Sequence, residues 1–221
     1  MSSVIRGTGI DSTVKLYLKG NGANGSTKFF DDSQNHKVMT AVGNAQISTT
    51  RSKFGGSSIK LDGTGDYVST PNSDDFTFGT GDFSIAFWVN FNVYGACGLV
   101  TQIKDTTNNW SVTISSDRIY FYSQMGGVNV AYYATNVLSW ANDTWYYIVF
   151  SRHGSSAECH RNGVDMTAIE ATAFATLADV DGVLWMGYDT LAGYLNGYID
   201  DFQIIKGVAI DGTIVPTRQR G

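Results

Sequence analysis

The chain has 221 residues, of which 43 % are hydrophobic and 13 % aromatic, with 25 Gly and only 2 Pro. Charged residues are scarce at 16 %, and the formal net charge is −5. That balance excludes a disordered chain, which would carry few aromatics and a high charge density. It also excludes a nucleic-acid binder, which needs a basic stripe to displace counterions from phosphate.

The opening Met1-Ser2-Ser3-Val4-Ile5-Arg6 has no basic segment followed by an apolar stretch, so a protein made in the cytosol without a secretory signal is expected. No run approaches the roughly 18 apolar residues of a membrane span. Residues 1–12 read as an N-terminal arm and 216–221 as a C-terminal tail, around one domain spanning 13–215. Alternation of period two starts at Val14–Lys19 and returns at Ser57–Leu61 and Asp66–Ser69. It is clearest from Phe83 to Val93, where Phe83, Ile85, Phe87, Val89, Phe91 and Val93 share one face. Ser84, Ala86, Trp88, Asn90 and Asn92 occupy the other, the pattern of a strand with one side in a core. Further runs follow at Leu99–Lys104, Trp110–Ile114, Arg118–Ser123, Asn129–Ala134, Trp145–Arg152, Ala157–Arg161, Val183–Gly187 and Tyr198–Lys206. Gly126-Gly127, His153-Gly154-Ser155, Asn162-Gly163 and Gly193 supply turns, and Asn-Gly suits a type I′ hairpin because both residues tolerate positive φ. Only Thr167–Leu177, rich in Ala and Thr, is expected as a short helix or turn. Strands without long intervening helices predict an all-β fold, an antiparallel β-sandwich.

Four segments carry a family resemblance. Lys53-Phe54-Gly55-Gly56-Ser57-Ser58-Ile59-Lys60-Leu61-Asp62-Gly63-Thr64-Gly65-Asp66-Tyr67-Val68 is followed by Phe83-Ser84-Ile85-Ala86-Phe87-Trp88-Val89. Thr144-Trp145-Tyr146-Tyr147-Ile148-Val149 with Asn162-Gly163-Val164 comes third, and Met186-Gly187-Tyr188 with Gly197-Tyr198-Ile199-Asp200-Asp201-Phe202-Gln203-Ile204 closes the series. Together they resemble LamG-like, concanavalin A-like lectin/glucanase jelly rolls, which implies two curved antiparallel sheets with the termini pairing near each other. The run from Leu16-Tyr17-Leu18-Lys19-Gly20 through Asp31-Asp32-Ser33 to Lys53-Phe54-Gly55 also resembles LamG-type domains of bacteriophage virion proteins. That resemblance implies a virion accessory protein, such as a head decoration or a tail-fibre or adhesin component, made in the host cytoplasm. Its partners would be other virion proteins and host cell-surface glycan, with assembly as a homo-oligomer a further expectation. A lectin-like carbohydrate-binding module is the alternative, with a polysaccharide-degrading glycosidase third.

Catalysis is not expected. Glycosidases of the resembling family carry Glu-x-Asp-x-x-Glu on one strand, and retaining chemistry needs two carboxyl groups about 5 Å apart. Eighteen of the twenty acids here are Asp, and Glu158 and Glu170 lie outside any such motif. Asp179-Val180-Asp181 has one-face spacing but runs into Gly182, which reads as a turn. His153 and His160 flank a predicted hairpin without a metal motif, and Cys97 and Cys159 are too few for a disulfide framework.

Two kinds of site remain. The resemblance implies a structural Ca²⁺ tying the first loop to the closing strand, with Asp31 or Asp32 and Asp200 or Asp201 in the matching places; of the last pair, Asp201 is taken as the ligand. Because neighbouring strand residues face opposite sides, only one of those two would face such an ion. Sugars present both CH faces and hydroxyls, so a glycan surface pairs aromatic platforms with polar side chains. Arg118, Tyr120, Tyr122 and Gln124 share one face of their run, Trp88 and Asn90 lie on the non-core face of theirs, and Asn108-Asn109-Trp110 opens another. Trp88, Asn90, Trp110, Arg118, Tyr120 and Tyr122 are therefore the carbohydrate candidates. The competing expectation is a second packed layer or a subunit contact, since Tyr and Trp suit interfaces for the same reason.

Overall fold

A computed structural model of the chain describes residues 10–166, 168–171, 174 and 176–220. The strands in its first third are β1 (Val14–Leu18), β2 (Thr40–Val42), β3 (Gln46–Ser48), β4 (Ser58–Asp62) and β5 (Tyr67–Thr70). Six longer ones follow: β6 (Phe83–Phe91), β7 (Cys97–Asp105), β8 (Asn108–Ser115), β9 (Arg118–Met125), β10 (Val128–Thr135) and β11 (Trp145–His153). The chain ends through β12 (Ser156–Arg161), β13 (Val164–Asp165), β14 (Ala168–Ala171), β15 (Val183–Met186), β16 (Tyr188–Asp189), β17 (Gly193–Tyr194) and β18 (Asn196–Lys206).

Two eight-stranded antiparallel sheets face each other, as the alternation predicts. The first runs β13-β12-β11-β6-β18-β4-β3, with β1 also on β18; the second runs β14-β10-β9-β8-β7-β15-β5-β2. Between them Phe83, Ile85, Phe87, Val89 and Phe91 of β6 join Trp110, Val112 and Ile114 of β8 and Phe121 of β9 in one core. Phe121 stacks on Phe150 at 4.6 Å and Phe78 on Phe83 at 4.0 Å. Each large side chain so buried contributes about 1.5–3 kcal/mol. The expected turns are present: Asn162 and Gly163 both have positive φ (53° and 81°), as do Gly126 and Gly127 (59° and 79°). Asp181 closes an Asx turn, its N–H donating to Asp179 Oδ1 at 2.9 Å.

Three expectations need correction. β6 stops at Phe91, and Val93 is 60 % exposed beyond it, because Asn92 and Val93 turn their N–H groups to Asn196 O instead of continuing the ladder. Within Thr167–Leu177, residues Ala168–Ala171 form a strand paired with β10, not a helix; residues 167, 172, 173 and 175 lie outside the described residues. Strict alternation also fails in β18, whose first half pairs with β4 and second half with β1. Its register shifts between Asp200 and Gln203, where Asp201 has φ +53°. This bulge turns Asp200 and Asp201 both to the outer face of the first sheet. Asp200 lies opposite Trp88 there, and Asp201 bonds Tyr17 and Gln203.

Candidate glycan-binding face

The outer surface of the second sheet is set by the register of its central strands. Trp110, Val112 and Ile114 pair with Ser123, Phe121 and Ile119 on the core side, so Ser111, Thr113 and Ser115 pair with Tyr122, Tyr120 and Arg118 on the outside. Tyr132 of β10 is opposite Tyr122 and its ring lies 6.2 Å from that of Tyr120. Across the sheet, Trp185 of β15 sits outward between Thr101 of β7 and Ser69 of β5, with Tyr67 one pleat along.

Over this face lies the β16–β17 hairpin. Gly98 of β7 permits the approach, because a Cβ there would stand 2.3 Å from the Asp189 backbone nitrogen. The hairpin adds Tyr188 and Tyr194, stacked at 4.2 Å, and Tyr188 lies 5.4 Å from Tyr67 and 5.2 Å from Trp185. Four half-buried rings thus form a continuous aromatic group.

Asp189 fixes the hairpin to the sheet. Its Oδ1 accepts from the N–H groups of Leu191 (2.8 Å) and Ala192 (3.0 Å), and its Oδ2 accepts from Thr101 Oγ1 and Tyr122 OH, both at 3.0 Å. Burial, reinforced by the Asp189 charge, pushes the Tyr122 hydroxyl up to about 12, so it remains a donor at neutral pH. Beside this anchor is an open pocket of about 260 Å³ lined by Thr113, Ser115, Tyr120, Tyr122, Asp189, Leu191 and Ala192. Leu191, 83 % exposed, forms its lip.

The structure divides the predicted carbohydrate residues. Tyr120 and Tyr122 line this pocket, and Arg118 continues their row, its Nη1 donating to Thr135 O at 2.7 Å. Trp110 is instead a core residue, 1 % exposed, its Nε1 donating to Gln102 Oε1 at 2.7 Å. It shares the inward pleat of Val112 and Ile114, which sets it against the opposite sheet. Trp88 and Asn90 are on the outer face of the first sheet, the far side of the sandwich, and both are buried. Phe54 meets Trp88 edge-on at 5.9 Å, Tyr147 lies at 5.1 Å, and Lys53 Nζ stands 3.8 Å from the indole centre. Asn90 Oδ1 accepts from Arg51 Nη1 at 3.0 Å. This is the second packed layer, made from the chain's own Arg51–Phe54 segment and from Ile210 and Val215. Residues missed from the sequence are Tyr67, Trp185, Tyr188, Tyr194, Asp189 and Leu191. Trp185, Tyr188, Asp189, Leu191 and Tyr194 fall within one stretch whose strands are too short to show a period, and only the topology brings Tyr67 to it.

The residues proposed for Ca²⁺ do not fit an ion. Asp31 Oδ1 accepts from the N–H groups of Tyr17 and Ser33, both at 2.9 Å, and Oδ2 from Ser33 Oγ and Lys37 N–H, both at 2.8 Å. Asp32 pairs with Lys19 at 3.8 Å. Asp201 Oδ1 accepts from Tyr17 OH at 2.5 Å and Oδ2 from Gln203 Nε2 at 3.4 Å. Among the described residues no group of three or more His, Cys, Asp or Glu side chains is placed to hold a metal. Asp31 and Asp201 instead organise loop and strand by hydrogen bonds. His153 and His160 do not meet: His153 Nδ1 lies 3.2 Å from Asp82 Oδ2, whereas His160 is buried against Gly212.

Two facing antiparallel sheets with this strand order define a concanavalin A-like sandwich. Residues 62–212 match the sequence model of the concanavalin A-like lectin/glucanases superfamily, and the chain belongs to that family. No curated protein sequence matches it. Among solved structures it is similar to domain 4 of AbnA, an extracellular arabinanase from Geobacillus stearothermophilus in complex with arabinotriose. That match has a TM-score of 0.71 and 15 % identity, over 93 % of this chain and 98 % of that one. It is also similar to the binding domain of Paraclostridial Mosquitocidal Protein 1 (TM-score 0.65, 16 % identity, 90 % of this chain and 50 % of that one). A third similar structure is of botulinum neurotoxin type C, described as entering cells through interaction with two ganglioside molecules (TM-score 0.62, 14 % identity, 90 % of this chain, 49 % of that one). The chain thus spans about half the length of the toxin structures.

Proposed function

We propose that this chain is a non-catalytic glycan-binding module whose ligand lies on the outer face of the second sheet. The observation that carries the reading is the Asp189-anchored hairpin, which fixes Tyr188 and Tyr194 beside Tyr67 and Trp185 and leaves the Tyr120–Tyr122 pocket open. Flat rings offer sugars a stacking surface, and the hydroxyls of Thr113, Ser115 and Tyr120 line the pocket beside them. The likeness to an arabinanase domain holding arabinotriose supports the same reading. Binding rather than hydrolysis is supported by the pocket's single carboxylate, whose oxygens both already accept two hydrogen bonds. Tyr188→Ala and Tyr120→Ala, measured by glycan array and calorimetry against the unaltered chain, are each expected to weaken binding at least about tenfold with the fold retained. Undiminished binding by both variants would move the site elsewhere.

As its setting we propose a bacteriophage virion, in a head decoration or a tail-fibre or adhesin component made in the host cytoplasm. This rests on the resemblance of the Leu16–Gly55 region to virion domains. Mass spectrometry of purified particles tests it, and absence of the chain from them would sink it.

A further inference from the structure

We infer that the ligand of this face is an uncharged glycan, and that sialylated or uronic-acid sugars are rejected. The inference rests on the glycan-binding reading and adds the charge class of the ligand. Its ground is the distribution of cations. The ten strands that build the second sheet and its covering hairpin contain two basic residues, Lys104 and Arg118. Lys104 is at the end of β7 and pairs with Asp181 at 3.2 Å. Arg118 is at the start of β9, with Nη1 on Thr135 O and Asp117 as its chain neighbour. Neither lines the pocket, where the charged group is Asp189.

An anionic sugar placed there would meet the Asp189 carboxylate in a partly desolvated wall, while Arg118, opposite the lining residue Ser115, is outside the pocket and turned to Thr135 O. Like-charge juxtaposition of this kind discriminates strongly, because repulsion is screened least where water is excluded. A neutral sugar faces no such cost, and Leu191, Ala192 and the tyrosine rings suit its CH faces. Five further basic residues among those described are engaged elsewhere. Arg51 and Lys53 are on the opposite outer face, and Lys15, Lys19 and Lys37 are paired with Asp75, Asp32 and Asp75 around the first loop.

A glycan array printed with neutral oligosaccharides, each beside its sialylated and its uronate-bearing counterpart, tests this at low and high salt. Neutral members should bind with little salt dependence, and each anionic counterpart should bind at least about tenfold more weakly. Leu191→Lys places a cation on the exposed lip without touching the core, and it should narrow that gap. Equal or tighter binding of the anionic counterparts, weakened by salt and lost in Arg118→Gln, would overturn the inference while leaving the glycan-binding reading intact. No binding to either set would overturn that reading and the inference with it.

Discussion

At the scale of single residues, Asp200 has the clearest consequence for solution behaviour. Its side chain is buried on the outer face of the first sheet, with Oδ2 accepting from the N–H groups of Lys53 (2.7 Å) and Phe54 (3.0 Å). Burial pushes its pKa up to about 7 from the ordinary 3.8; the two N–H groups oppose that shift and the neighbouring Asp201 charge adds to it. The folded chain therefore holds a proton between about pH 4 and pH 7 that the unfolded chain has released. This contribution to stability is fully present below that window and is lost as pH rises through 7. The Tm measured by calorimetry should fall by a few degrees across this range, and Asp200→Asn should flatten the slope. A slope unchanged in that variant would show that other groups set it. Trp110 offers a second test. Trp110→Ala should cost about 3–5 kcal/mol in urea denaturation through cavity formation. Trp110→Phe retains most of the packing but leaves Gln102 Oε1 without its donor, at about 1–3 kcal/mol. The inward direction of Trp110 was missed in the sequence: Trp110, Val112 and Ile114 recur with the core period, but the polar Asn108-Asn109 lead-in marked the run as an outward sugar-binding face. The outward roles of Asp200 and Asp201 were missed too, because a bulge is one residue that a period-two pattern does not register.

At the scale of elements, the β16–β17 hairpin joins fold to function. Gly187, with φ +87°, redirects the chain out of β15, and Gly98 leaves the hollow into which the hairpin settles. Gly98→Ala would force the hairpin off the sheet, since its Cβ meets backbone and not the end of a flexible side chain. The expected result is a loss of about 1–3 kcal/mol in stability, together with glycan binding weakened beyond detection and faster hydrogen exchange confined to residues 188–194. Retained binding would show that the hairpin is dispensable to the site. The long strands β6 to β12 were readable because each alternates over five or more residues. Two-residue strands such as β16 and β17 carry too little pattern to be recognised. The aromatic group they complete depends on contacts between residues as distant as Tyr67 and Tyr188, so no local reading assembles it.

At the scale of the whole molecule, the two outer faces have different fates. That of the first sheet is roofed by the chain's own segments: Arg51–Phe54, Ile210 and Val215, and the end of the chain, where Gln219 Nε2 donates to Lys19 O and Arg220 N–H to Tyr17 OH. The second sheet carries its aromatic residues toward solvent. The antiparallel sandwich was legible in the sequence as a whole because both sheets are built from the same alternating pattern. Which sheet would be covered was decided by loops whose composition does not announce where they lie.

The pairing of β1 with β18 brings Ile10 and Arg220 together on the roofed side, both close to Tyr17. The first and last described residues thus both lie away from the tyrosine-rich face. Copies held on a common scaffold by this side would all turn their tyrosine-rich faces outward. Sites of modest individual affinity would then engage a glycan-coated surface together, with avidity set by tether length and copy spacing.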